Sequence, residues 1–479
     1  MNRHIATLIA AALLVSAAGC GESLNSYFVY SDQTEALMQE AQNGFPAKDG
    51  SKALAGAKQL LDDRFGDPQS LNAWSMLPID FGGITGRVSE TPDTSVIKGL
   101  TLQFDEEVSF DEDEALILQF VTGAAARTVV KVDKWSAEEG KATLSDSDTL
   151  EAAVVAGDVV VLNGGIVLQH GRGLYMRHCS HCHGTSGDGN GPTAEYLVPR
   201  PRDYRQGVFK FTSTNDRAKI SRDDLHRVLQ NGIPGTYMPS FVPMLNEQDQ
   251  HAVVEYVRFL TMRGEFEKKI AAELSPDFSK DALASQLEAG DSKDDVRDYL
   301  REFLAEDMPD SLEFVSEDLA SSWTTADTDE AVITPDISRV PDTPESRRLG
   351  RELYLSKGIN CADCHGIAGK GDGPQSTIFE KNPVTQELYD SPGLHDVWDN
   401  LNQPRDLTRG IYRGGRRPVD LFRRIHAGVK GSRMPSFKIL KHEQIWHIVN
   451  YVLSIPFEIE PGHAPGVNAP AEATTTASL

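Results

Sequence analysis

Cys179-Ser180-His181-Cys182-His183 decides how this chain is read, and it recurs as Cys361-Ala362-Asp363-Cys364-His365. In C-x-x-C-H, two thiols can bind a porphyrin covalently while the histidine after the second cysteine reaches its iron, which is the attachment pattern of c-type haem. The same spacing also serves as a zinc half-site or a disulfide. Five cysteines are present in the whole chain, so these two motifs leave only Cys20 and no disulfide framework.

Working outward, each motif sits in the same wider frame, and such internal repeats constrain the fold before any local signal does. Gly171-Arg172-Gly173-Leu174-Tyr175 precedes the first motif and Gly350-Arg351-Glu352-Leu353-Tyr354 the second. Glycine loops follow, Gly187-Asp188-Gly189-Asn190-Gly191-Pro192 and Gly369-Lys370-Gly371-Asp372-Gly373-Pro374. Then come Pro201-Arg202-Asp203 and Pro404-Arg405-Asp406, and after them Met238-Pro239-Ser240-Phe241 and Met434-Pro435-Ser436-Phe437. Each copy closes on an apolar stripe at helical spacing, Val253, Val254, Val257 and Leu260 in one and Ile448, Val449, Val452 and Ile455 in the other. The second copy gains residues around 376–400, as surface loops tolerate. The glycine loops follow C-x-x-C-H instead of a strand and lack a P-loop lysine pattern, so they do not read as phosphate cradles.

Each copy resembles a class I cytochrome c domain: a first helix leading into C-x-x-C-H, a glycine-rich loop, a methionine loop and a closing helix. The resemblance implies two covalently bound haem c groups, attached through Cys179 and Cys182 and through Cys361 and Cys364. It implies His183 with Met238, and His365 with Met434, as axial pairs. A thioether favours reduced iron, so such ligation raises the potential and leaves no open face for substrate. Arg202 and Arg405 are candidates for haem propionates through a bidentate fork, against a salt bridge or plain exposure. Tyr175 and Tyr354 are expected to pack on the closing helices. His178, His181, His226 and His426 have no matching partner in the other copy and read as surface residues.

The N-terminus has a basic start, an apolar run from Ile5 to Val15 and small residues ending Ala17-Ala18-Gly19-Cys20. That is an export signal, too short for a membrane span. It resembles a bacterial lipobox, with Ala17 departing from the usual leucine, and implies lipidation of Cys20. The formal net charge of -24 argues against nucleic-acid binding.

The expected fold class is mainly α. It comprises a signal segment (1–19), a helical N-terminal region (20–83), a small β module (84–162), the first cytochrome c domain (163–262), an acidic helical connector (263–345), the second domain (346–458) and a disordered tail (459–479). Helices are expected over Thr34 to Ala41 and Lys52 to Phe65, and strands over Val96–Phe104, Ala115–Thr122, Thr128–Val132 and Val154–Leu162. Connector positions Leu283, Leu287, Val296, Leu300 and Phe303 are expected to pack. The acidic run through 105–114 reads as a solvated loop, and base clusters such as Arg409, Arg413, Arg416 and Arg417 as propionate partners or a docking face.

The function expected from these readings is single-electron transfer by a membrane-anchored di-haem protein of the cell envelope. Its partners would be redox proteins or a membrane respiratory complex, such as a quinol-oxidising or terminal-oxidase complex. Two rivals are a di-haem peroxidase, which needs one open iron face, and a structural docking subunit.

Overall fold

The structure is a computed structural model that describes residues 28–31, 34 and 61–458, with short breaks at 63, 73, 75, 93–96, 105–115, 126–127, 137–138, 146–149 and 151–152. The export segment, Cys20, the acidic run, the tail and nearly all of the two expected N-terminal helices lie outside the described residues.

Six strands form a closed antiparallel barrel: β1 (Ile84–Val88), β2 (Gly99–Phe104), β3 (Leu116–Phe120), β4 (Val129–Ser136), β5 (Lys141–Leu144) and β6 (Val159–Leu162), in the order β1-β2-β5-β4-β3-β6. Alternation drives it: Leu116, Leu118 and Phe120 point inward to meet Val130, Val132, Val160 and Leu162. β1 and β5 were not among the expected strands. β1 carries Gly86 because a Cβ there would lie 2.6 Å from the Phe104 ring on β2, and β5 is four residues with one large apolar side chain. Barrel closure, more than local propensity, makes both into strands.

In the first haem region, α1 (Ile166–His178) crosses α4 (Glu247–Phe278), and in the second, α8 (Pro344–Leu355) crosses α11 (His442–Ser454). A glycine sits at each crossing. A Cβ on Gly171 would lie 2.0 Å from the Ala252 carbonyl oxygen, and one on Gly350 2.0 Å from that of His447. Tyr175 packs on Tyr256 and Tyr354 on Tyr451, with ring centroids 5.2 and 5.4 Å apart. The expected tyrosine packing is therefore present in both.

The closing helices then diverge. α11 stops where Pro456 follows Ile455, since proline cannot continue a helix. The corresponding residue after Leu260 is Thr261, and α4 runs on to Phe278, straight through the expected boundary at Met262. Its charged residues did not end the helix because they are paired inside. Glu255 takes Arg222 at 2.6 Å, Arg258 reaches Asp327 at 3.1 Å and Arg263 reaches Glu267 at 3.1 Å.

The connector folds as α5 (Lys280–Ala289), α6 (Lys293–Glu302) and α7 (Met308–Ala326). Leu283, Val296, Leu300, Leu312 and Trp323 join the first region's core, while Leu287 is exposed. Phe28, Leu61, Phe65, Leu77 and Ile79 from the N-terminal side enter the same core. The chain then crosses over: Val332 bridges Thr214, Ile333 enters the second core, and Arg339 donates to Asn450 at 2.8 Å.

Candidate functional site

Each C-x-x-C-H motif is one helical turn, α2 (Ser180–His183) and α9 (Ala362–His365). The glycine loops wrap around these turns. Gly189 N–H donates to the His183 carbonyl at 2.9 Å and Gly371 to that of His365 at 2.8 Å. The tyrosine hydroxyls complete the wrap, Tyr175 to Gly184 O and Tyr354 to Gly366 O, both at 2.8 Å.

The Pro-Arg-Asp loops orient the histidines. His183 Nδ1 lies 3.5 Å from the Arg202 carbonyl oxygen and His365 Nδ1 3.3 Å from that of Arg405. A carbonyl on Nδ1 fixes the tautomer and leaves Nε2 as the nitrogen available to a metal. Burial pushes His183 down to about 4, against the pull of that carbonyl, and burial lowers His365 as well. Both rings are therefore held neutral, as metal ligands must be. Burial also pushes the Cys179 and Cys361 thiols up to about 12. Among the described residues, no three His, Cys, Asp or Glu side chains cluster to hold a metal ion by themselves, which sets aside the zinc reading of either motif.

The methionine loops are built twice from the same bonds. They follow α3 (Arg222–Asn231) and α10 (Pro418–Ala427). Ser240 Oγ donates to the Gln230 carbonyl at 2.5 Å and Ser436 Oγ to the His426 carbonyl at 2.7 Å, capping open helix ends. Phe241 N–H returns to Leu229 O at 2.8 Å and Phe437 N–H to Ile425 O at 3.0 Å. The M-P-S-F pattern is thus a helix stop that presents its methionine.

All these groups line one continuous cavity of about 1110 Å³ shared by both regions: Cys179, His183 and Met238 on one side, Cys361, His365 and Met434 on the other. Apolar walls such as Leu225, Phe241, Ile425 and Phe437 suit a flat macrocycle. The neutral histidines, buried thiols and apolar volume fit haem c. Among the described residues, none from the barrel lines the cavity.

The extra residues of the second copy form much of the junction between the two halves of the cavity. Asp396, buried, receives Lys210 at 3.0 Å and Arg202 at 3.3 Å from the first region. Arg202 also stacks on Trp398 at 3.9 Å. Burial, more than the neighbouring Arg202, lowers Lys210 to about 8 despite Asp396. Arg405 has a different setting, with Nε donating to the Ile411 carbonyl at 3.0 Å. Both arginines line the cavity, and neither pairs with the aspartate beside it. Sequence reasoning singled out neither Asp396 nor Trp398, since both lie in a stretch with no counterpart in the other copy. Several other bases are used internally: Arg205 with Asp203, Arg417 with Asp420 and Arg409 with Asp406. His181 and His178 line the cavity; His226 stacks on His251, and His426 lies beside Phe422.

Residues 168–261 and 348–456 each match the cytochrome c family model. Two cytochrome c domains stand in tandem in this chain. Cytochrome c domains imply covalently bound haem c and support a haem electron-transfer role. No curated protein matches the chain. Among solved structures, the reducing HAO-like protein complex of Kuenenia stuttgartiensis is similar, at 22% identity and a TM-score of 0.40, over 60% of this chain and 96% of that one. No described helix is long and apolar enough to cross a membrane.

Proposed function

We propose that this is a di-haem electron carrier of the cell envelope, tethered to a membrane by lipid on Cys20 and exchanging single electrons with redox proteins or a respiratory complex. The observation that carries this reading is the pair of matched ligand sets, His183 with Met238 and His365 with Met434, lining one cavity. Bound haem supplies a one-electron iron couple. The chain's own residues do the rest. Cys179, Cys182, Cys361 and Cys364 tether it. The Arg202 and Arg405 carbonyls aim the imidazoles, and Met238 and Met434 would hold the iron together with His183 and His365, which would leave substrate no open coordination site.

The haem content and spectra of the purified chain test this reading. Two haems per chain, both low-spin by EPR, are expected; a high-spin component that binds peroxide would instead favour the peroxidase reading. For the anchor, Cys20→Ser should move the protein from the membrane to the soluble envelope fraction. An unmodified Cys20 in the mature chain by mass spectrometry would remove that part of the proposal.

A further inference from the structure

The two halves of the cavity meet through matching parts. Gly235 and Gly431 stand three residues before their methionines, and each touches the other domain. A Cβ on Gly235 would lie 2.5 Å from Arg405 Nη2 and 3.1 Å from Ile411, while one on Gly431 would lie 3.0 Å from Val208. Val208 and Ile411 are themselves counterparts in the repeat. The same edges of the two domains therefore face each other.

The charges there are unequal. On the first side, Arg202 and Lys210 are both held by Asp396, whose side chain is only 4% exposed. On the second side, Arg405 and Arg413 occupy the corresponding positions, and Arg424 stands where the first domain has Val228. Among the described residues, none of these three hydrogen-bonds a carboxylate, though the Asp420 charge acts on Arg424: Arg405 donates to Ile411 O, Arg424 to the Arg413, Gly415 and Asp420 carbonyls, and Arg413 Nε is buried without a partner. On the second side Asp363 offsets one of these charges and Glu380 is taken by Arg433, while Arg177 and Arg200 on the first side are exposed and screened by water. Arg405, Arg413 and Arg424 are half-buried, so water screens them less.

We propose that Asp396, supplied by the second domain's extra loop, makes the first site the weaker electron acceptor, while Arg405, Arg413 and Arg424 make the second the stronger. This rests on the two-haem reading given above. An electron delivered to either site then comes to rest at the second, and the chain has a direction, from the first domain to the second.

The test is redox titration of the full-length two-haem protein, with haem content measured separately. A content other than two overturns the two-haem reading and this inference with it. With two haems present, two one-electron waves are expected, with the second site favoured at least tenfold, which is about 59 mV. Met434→His replaces a thioether by a stronger donor and lowers its own iron's potential, so it should pull down the upper wave; pulling down the lower wave overturns the proposal. Asp396→Asn should raise the lower wave toward the upper one. Equal movement of both waves, or of neither, overturns it too. Arg413→Gln, on the opposite wall, should lower the upper wave, and it decides the matter if Asp396→Asn does not fold.

Discussion

In the first cytochrome c domain, the closing helix is covered by α5, α7 and an N-terminal segment; in the second, the strap 333–343 lies on the closing helix. Trp323 from α7 is fully buried there, donating from Nε1 to Glu265 at 2.7 Å, and Arg258 lies 4.9 Å from its ring. The second domain has Trp446 donating to Ile337 O at 3.1 Å and Asn450 donating to the Val340 and Pro341 carbonyls. The ligand loops are nearly superimposable in their bonding, so the difference lies outside the haem machinery. It teaches that the module needs one covered helix face, and that very different chain segments can cover it.

Disturbing one domain's cover should break this comparison most clearly. Trp323→Ala removes a large buried side chain, for about 3–5 kcal/mol, and should lower hydrogen-exchange protection in α1 and α4 while leaving α8 and α11 unchanged. Equal loss in both domains would mean that they unfold as one unit.

Gly171→Ala and Gly350→Ala sharpen what the domains share. Each forces a Cβ onto a carbonyl oxygen at the helix crossing, and overpacking of this kind costs about 1–3 kcal/mol. The two losses, measured by denaturant unfolding, should agree; a clear inequality would show that the buttress of the first domain absorbs strain.

Tyr175→Phe and Tyr354→Phe delete matching hydroxyl-to-carbonyl bonds, leaving the Gly184 or Gly366 carbonyl without its donor. About 1 kcal/mol each is expected by the same measurement. The smallest effect is at the domain boundary, where Lys438 Nζ lies 2.6 Å from Asp216. That hydrogen bond, with Lys438's charge, holds the Asp216 carboxyl below its usual range against slight burial. A depressed folded pKa contributes stability above the unfolded value of about 3.9, lost as pH falls through the folded one. Asp216→Asn should therefore cost no more than about 1 kcal/mol at neutral pH, and nothing in acid where the carboxyl is already protonated.

The repeated parts of the site were legible because the repeat itself carries information: Cys179 and Cys361, or Met238 and Met434, explain each other. What one copy alone possesses was not legible. Asp396 and Trp398 sit in the unmatched loop, and their meaning depends on Arg202 and Lys210 far away in the chain. The continuation of α4 was hidden because an acidic connector is expected to begin at Arg263, whereas tertiary pairing buries Arg263, Glu265 and Glu267 in one continuous helix. Gly171 and Gly350 were visible as matching letters, but the close approach that requires them appears only when the helices cross. Four of the six barrel strands followed from composition, and β1 and β5 from closure.

The span of chain that builds each core has a consequence for synthesis. The second core is assembled from residues between Ile333 and Ile455, so it can form as soon as its own stretch has emerged. The first draws on residues from Phe28 to Trp323, and contacts over such separations close slowly because the loop entropy is lost before the contacts form. The first domain's core therefore remains incomplete until most of the chain exists, although its own C-x-x-C-H leaves the ribosome early. For that interval Cys179 and Cys182 stand in a domain whose core is still open.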